Sequence, residues 1–233
     1  MPRRLRTGGP TAKDRVSALE VAAGTVIAAV RRALANNPVP ILVALDGPSG
    51  SGKSSVARRI TAALDVTTVS VDDFFSAGIT DAEWATRTPR DRAADAVDWR
   101  RLRREALEPL LAGNPARWHA FDFHGGVRDD GTYAMRSDFV ECPAAPIIIL
   151  DGAYSTRPEL SDLIDLSVLV DAPLSIRHER LARREAASFL DAWHARWDPA
   201  EAYYFKHVRP PSSFDAGVFP CVFSEWLAGQ TAA

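Results

Sequence analysis

Gly47-Pro48-Ser49-Gly50-Ser51-Gly52-Lys53-Ser54, preceded by Ile41-Leu42-Val43-Ala44-Leu45 and followed by helical spacing over Ser54–Leu64, is the stretch that decides the fold. The apolar run is short and unbroken, as in a strand buried on both faces. The residues after it fit G-x-x-x-x-G-K-[ST] without a mismatch, between a strand and a helix, where that pattern has a mechanism. Glycines let the backbone wrap closely enough for its N–H groups to point at phosphate oxygens. The helix adds its positive N-terminal end. Lys53 is expected to neutralise β- and γ-phosphates and Ser54 to bind Mg²⁺ through its hydroxyl, with Ser55 completing the set that begins at Gly47. A plain Gly/Ser turn before a helix is the alternative, and it would not require the full pattern.

Outward from this unit the same alternation continues. Thr67–Val71 reads as a strand and stops at Asp72-Asp73; Ile147–Leu150 stops at Asp151-Gly152; Leu166–Val170 stops at Asp171. Val218–Phe223 is the weakest strand, because Pro220 argues for an edge. Helical patterns lie at Val16–Leu34, Trp99–Leu111, Leu174–Glu185 and Phe189–Tyr204. Strands alternating with helices predict an α/β three-layer sandwich with a mainly parallel sheet and helices on both faces. In such sheets ligands gather beyond the carboxyl ends of strands, where these aspartates fall. Arg117–Pro143 has Gly125-Gly126, Asp129-Asp130-Gly131 and no helical period, and reads as a hairpin or long loop inserted in the sheet. Residues 1–14 read as a flexible arm, 15–233 as one domain, 117–143 as the insertion and 174–200 as a lid.

Composition narrows the classes. The chain has 233 residues, 46% of them hydrophobic, enough to bury a core without staples. Lys and Arg total 28 against 30 Asp and Glu, which excludes a globally basic nucleic-acid coat, and no nucleic-acid partner is expected. Cys142 and Cys221 match neither a metal spacing nor a disulfide framework. No apolar run approaches the roughly 20 residues of a membrane span. Arg3, Arg4 and Arg6 precede no apolar leader segment, so a cytoplasmic protein is expected. The histidines lack zinc-motif spacing, and no G-x-S-x-G elbow marks a hydrolase. Arg100-Arg101-Leu102-Arg103-Arg104, with Glu105 and Glu108 behind it, reads as a surface ion-pair network.

Two further groups carry chemistry. Asp72 should reach the same sheet edge as the phosphate loop, where a carboxylate can orient an acceptor hydroxyl and take its proton. Its alternatives are a helix cap or a place in the Mg²⁺ shell. Arg180, Arg183 and Arg184 lie on the helix after Asp171, where guanidinium groups could spread over transferring phosphoryl oxygens. Arg177, Arg180 and Arg184 share a face, and a solvated charged face is the alternative. Trp193, Trp197, Tyr203 and Tyr204 read as core in preference to a base-stacking platform.

With Asp46-Gly47-Pro48-Ser49-Gly50-Ser51-Gly52-Lys53-Ser54, Val71-Asp72-Asp73-Phe74-Phe75, Asp98-Trp99 with Leu102, Phe121-Asp122-Phe123 and Leu150-Asp151-Gly152-Ala153-Tyr154 in this order, residues 41 to about 217 resemble the uridine kinase and phosphoribulokinase family of P-loop kinases. The resemblance implies a five-stranded sheet of order 2-3-1-4-5 and transfer of a phosphoryl group from ATP, with Mg²⁺, to a hydroxyl of a small molecule. A nucleoside or similar polyol is the expected acceptor. A nucleotide, vitamin, sugar or antibiotic acceptor, or an ATP-binding switch without catalysis, are the alternatives. By the same resemblance the acceptor side comprises Asp72, Asp73, Phe75, Phe121, Asp122, Phe123 and Asp151, and the metal side Ser54, Asp73 and Asp151. Asp151 reads equally as a buried carboxylate capping the turn at Gly152. Phe121 stands where the family has tyrosine, and Gly126 where its uridine kinases have histidine. His124 is out of register. Both departures count against uridine itself.

Overall fold

The computed structural model describes residues 12–184 and 187–221. Most of the expected arm therefore lies outside the described residues, as do Glu185 and the 222–223 end of the last expected strand. The first helix, α1 (Ala12–Asn36), begins inside the stretch read as arm. Asn36 and Asn37 close it by donating their side-chain amides to the carbonyls of Arg32 and Ala33.

The central strand β1 (Ile41–Asp46) is buried along its whole length. Because side chains alternate across a strand, Leu42 and Ala44 enter one core while Ile41, Val43 and Leu45 enter another. The phosphate loop leads into α2 (Lys53–Ala63), then β2 (Val66–Ser70) and a 3₁₀ turn over Val71–Phe74. Two short helices follow, α3 (Asp81–Thr86) and α4 (Pro89–Asp95), which the sequence reading missed. Each starts at a threonine whose side chain accepts a backbone N–H, Thr80 from Glu83 and Thr88 from Asp91. A longer helical rod runs from α5 (Trp99–Leu102) through a π-turn over Arg103–Leu107 into α6 (Glu108–Leu111), the wider turn standing directly before Pro109, which has no N–H to give the ladder.

β3 (Ala116–Phe121) and β4 (Met135–Cys142) form the expected hairpin. It is a separate two-stranded antiparallel sheet with a register shift at His119/Phe121. The sheet strands resume with β5 (Ile147–Asp151) and β6 (Leu166–Val170), followed by α7 (Leu174–Ala182), α8 (Ala187–Tyr203) and β7 (Ala216–Val218). β7 lies earlier than the Val218–Phe223 expected, and it stops before Pro220, which has no N–H for a ladder.

The five-stranded sheet is parallel throughout and reads β2-β5-β1-β6-β7. Counted over its own strands alone this is 2-3-1-4-5, because β3 and β4 belong to the hairpin. α1 and α2 cover one face with Val26, Val30, Val56 and Ile60. Leu102, Leu107, Leu110, Trp118 and Tyr204 cover the other. Ile149 is fully buried at the centre of the first layer. Ile149→Ala should cost about 2–5 kcal/mol, read as a lower urea midpoint with an unchanged slope. No helix among the described residues is long and apolar enough to cross a membrane.

Candidate functional site

β1 has neighbours on both sides, β5 and β6, and its carboxyl end is the switch point where a crevice opens. Register brings the chemistry there: Leu45 pairs with Asp151, and Ser70 pairs with Asp151 from the other side.

The loop after β1 needs its glycines. Gly47 has φ +151°, and a Cβ there would lie 1.9 Å from the Val170 carbonyl oxygen; at Gly50, φ +77°, a Cβ would lie 2.6 Å from the Arg177 carbonyl oxygen. The second contact shows that the α7 backbone rests directly on the loop. Lys53 is buried, and its Nζ donates to the carbonyls of Gly47 at 2.8 Å and Pro48 at 3.1 Å. Ser51 is fully buried with its hydroxyl unpartnered.

Beneath the loop, Asp46 acts as a hub. Its carboxylate accepts from the N–H groups of Gly47, Tyr154 and Thr156 and from the hydroxyls of Thr156 and Tyr204, at 2.6–3.0 Å. Burial pushes its pKa up, against the lowering effect of the Thr156 and Gly47 bonds and of Lys53. Tyr154, at φ +67°, is held in the left-handed region by this anchor.

Asp72 and Asp73 part company in the 3₁₀ turn. Asp72 remains accessible from the crevice yet is walled by protein, which raises its pKa, while Lys53 and Arg184 pull it down. Asp73 turns to the hairpin, where its Oδ2 accepts from Trp118 Nε1 at 2.8 Å. Asp151 stays on the loop side: burial raises its pKa, while Lys53 and the Ser54 hydroxyl lower it. Its Oδ1 is buried without a hydrogen-bond partner. Ser54 and Asp151 thus offer hard oxygens, one of them shielded from water and unsatisfied, and this fits Mg²⁺. Asp73, expected with them, faces the hairpin.

The arginines separate as well. Arg180 crosses the loop, donating to the carbonyls of Gly50 at 3.1 Å, Ser51 at 2.7 Å and Pro220 at 2.6 Å. Arg184 is close enough to lower the pKa of Asp72. Arg183, expected with them, is exposed and pairs with Glu179 four residues back.

Glu201, on α8, was missed by sequence reasoning. It is buried and accepts from the Ser49 backbone N–H at 3.0 Å, the Ser49 hydroxyl at 2.6 Å and Arg177 at 3.3 Å. Burial raises its pKa, opposed by Ser49, Lys53 and Arg177. A glutamate 152 residues from its partner leaves no spacing signal to find it by.

Phe75 centres an aromatic cluster, with Phe121 at 4.9 Å, Trp84 and Trp197 at 5.4 Å, and Phe123 and Tyr133 at 6.4 Å between ring centroids. Trp197 is thus part of this cluster as well as of the packing. Phe75, Asp98, Arg101, Glu105, His119 and Arg136 line a cavity of about 440 Å³. Asp73, Phe121, Asp122, Phe123, His124 and Arg136 line a neighbouring one of about 340 Å³. Asp122 also holds its own turn, accepting the His124 N–H at 3.0 Å.

A parallel sheet of this order with a phosphate loop at its switch point defines a P-loop protein of kinase architecture. One solved structure, described as a possible uridine kinase from Bacillus stearothermophilus, shares this fold with a TM-score of 0.61 and 18% identity, covering 88% of this chain and 98% of that one. The chain belongs to the phosphoribulokinase / uridine kinase family, whose model matches residues 42–189. Among similar proteins, the uridine kinase of Deinococcus deserti is 32% identical over 151 residues, 63% of this chain and 69% of the relative. The guanylate kinase of Corynebacterium diphtheriae is 33% identical over 131 residues, 53% of this chain. That match spans 62% of the guanylate kinase's own length, under two thirds.

Proposed function

We propose that the chain transfers the γ-phosphoryl group of MgATP to a hydroxyl of a small molecule, a nucleoside or similar polyol. The observation that carries this reading is the convergence at one sheet edge of Lys53, the Ser54–Asp151 pair and the accessible carboxylate of Asp72. The loop amides and Lys53 receive the triphosphate. Ser54 and Asp151 would hold Mg²⁺, which would supply positive charge against the charge that develops on the transferring phosphoryl group. Asp72 accepts the proton of the acceptor hydroxyl as its oxygen bonds to the γ-phosphorus and the bond to ADP breaks. Arg180 and Arg184 supply positive charge beside the transfer, where fixed charges act chiefly on the transition state. Asp73, bound to Trp118, positions the hairpin wall of the acceptor pocket. The 440 Å³ cavity falls within the roughly 300–1,000 Å³ of small-ligand sites, with an aromatic face from Phe75 and polar groups suited to hydroxyls.

A nucleotide acceptor is the second reading, favoured by Arg101 and Arg136 in the cavity wall and by the relative named as a guanylate kinase. A screen of nucleosides, nucleoside monophosphates, sugars and vitamins for acceptor-dependent ATP consumption tests both. Turnover with nucleosides supports the first reading, and turnover confined to monophosphates replaces it with the second. ATP binding with no acceptor-dependent turnover would leave an ATP-binding switch.

The arginine assignment has its own test. Arg180→Ala should lower kcat by roughly 10²-fold, the scale of losing one transition-state donor, while Arg183→Ala should leave it nearly unchanged. Unchanged kcat in Arg180→Ala would return it to the solvated face of α7, and a comparable loss in Arg183→Ala would restore Arg183 to the set.

A further inference from the structure

His178 on α7 and His194 and Asp198 on α8 come together across the two helices. His194 and Asp198 stand four residues apart and share a helix face, whereas His178 arrives from another element, so no sequence motif joins the three. His178 Nε2 lies 2.7 Å from Asp198 Oδ2, and His194 Nδ1 lies 3.1 Å from the same oxygen. The two imidazole rings pack with centroids 3.8 Å apart. Asp198 Oδ1 is buried without a hydrogen-bond partner, and buried His194 Nδ1, although 3.1 Å from Oδ2, makes no well-aligned hydrogen bond to it. Leaving such atoms unsatisfied costs stability, so their presence in one cluster asks for a ligand.

We propose that His178, His194 and Asp198 bind one divalent transition-metal ion of the Zn²⁺ class and so link α7 to α8. One ligand atom from each residue lies within 4.8 Å of the other two. A tetrahedral ion with bonds of about 2.0–2.2 Å accepts such a set, and small side-chain rotations bring the three onto it. Two imidazole nitrogens and one carboxylate leave a fourth position for water. Imidazole ligands select transition metals over Mg²⁺ and Ca²⁺, so this site differs in kind from the oxygen pair Ser54–Asp151. His178 Nε2 donates its proton to Asp198 in the metal-free arrangement. The ion takes the Nε2 lone pair freed when the ring proton shifts to Nδ1, so the neutral imidazole binds with no net loss of a proton. The consequence is mechanical. α7 carries Arg177 and Arg180 to the phosphate loop, α8 carries Glu201 to Ser49, and the metal pins these two helices to each other. The site stands whether or not the chain transfers phosphate.

The test uses the full chain, stripped with a chelator and titrated with Zn²⁺ alone and with Co²⁺ alone. The expected result is one ion per chain and a tetrahedral Co²⁺ visible spectrum without thiolate charge-transfer bands. His194→Ala and His178→Gln should each weaken Zn²⁺ binding by more than roughly 100-fold, beyond the loss typical of an outer-shell partner. Lys53→Ala should leave binding unchanged. If His194→Ala does not fold, His178→Gln, whose ring is 37% exposed, and the Co²⁺ spectrum of the unaltered chain still decide the matter. Absence of uptake, thiolate bands, or affinity that survives His178→Gln overturns the proposal.

Discussion

Lys53→Ala should abolish phosphoryl transfer, with kcat/KM for ATP falling by at least roughly 10³-fold, and should weaken triphosphate binding. The ammonium sits inside the loop, bound to the Gly47 and Pro48 carbonyls, and it is buried. Charge held in a site poor in water acts more strongly on phosphate oxygens than an exposed lysine would. Arg180 does not substitute for it, because its guanidinium comes from α7 to the carbonyls of Gly50, Ser51 and Pro220, whereas the Lys53 ammonium sits at those of Gly47 and Pro48. Lys53→Arg is the informative companion, since it keeps the charge but needs room for a planar fork in a space shaped for an ammonium. ATP binding by calorimetry and single-turnover transfer measure the two effects separately. Wild-type turnover in Lys53→Ala would end the phosphate-loop assignment.

Asp72→Asn should reduce transfer by roughly 10²-fold or more, the range of general-base catalysis, with little change in ATP affinity. The substitution preserves shape and removes the group that receives the proton. The same carboxylate sets a pH signature. Its pKa is raised from 3.8 by loss of hydration. The acid limb of kcat/KM should therefore lie above the pH at which a free aspartate titrates, and Asp72→Asn should erase it. Stability follows the opposite sense. A carboxyl whose pKa is raised on folding contributes stability below its unfolded pKa and loses it as pH rises through the folded value. Near neutrality Asp72→Asn should accordingly hold or slightly raise the melting temperature. Asp73→Asn is the control: it disturbs the bond to Trp118 and should cost less turnover. A larger loss in Asp73→Asn than in Asp72→Asn would reverse the two roles, and unfolding of Asp72→Asn would make Asp72 a structural cap.

The strand–loop–helix unit was legible because its signals are local. Five consecutive apolar residues, glycines at fixed offsets and a lysine at the helix start act through neighbouring backbone, and the structure keeps them in place. The hairpin was legible too, from turn residues and the missing helical period. α3 and α4 were not, because each carries a single buried apolar residue, Trp84 or Ala93, and so has no periodic face. Their threonine caps were the signal available. The loop residues, Asp72 and Asp151 stand at the strand ends, while Asp73 lines the cavity beside Phe121, Asp122 and Phe123 and faces away from Ser54 toward the hairpin.

What the sequence determined by itself is the alternation of strands and helices, the phosphate loop, and the line of aspartates at strand ends. Backbone sterics and side-chain periodicity settle these within a few residues. Only the tertiary structure decided that Glu201 reaches Ser49, that Arg180 rather than Arg183 crosses the loop, and that Asp46 anchors Tyr154, Thr156 and Tyr204. It alone joined His178 to His194 and Asp198. These contacts depend on how helices cross and how deep each side chain lies, which is settled by packing between distant segments. A side chain's place on its own helix face is local information, and the partner it meets there is not.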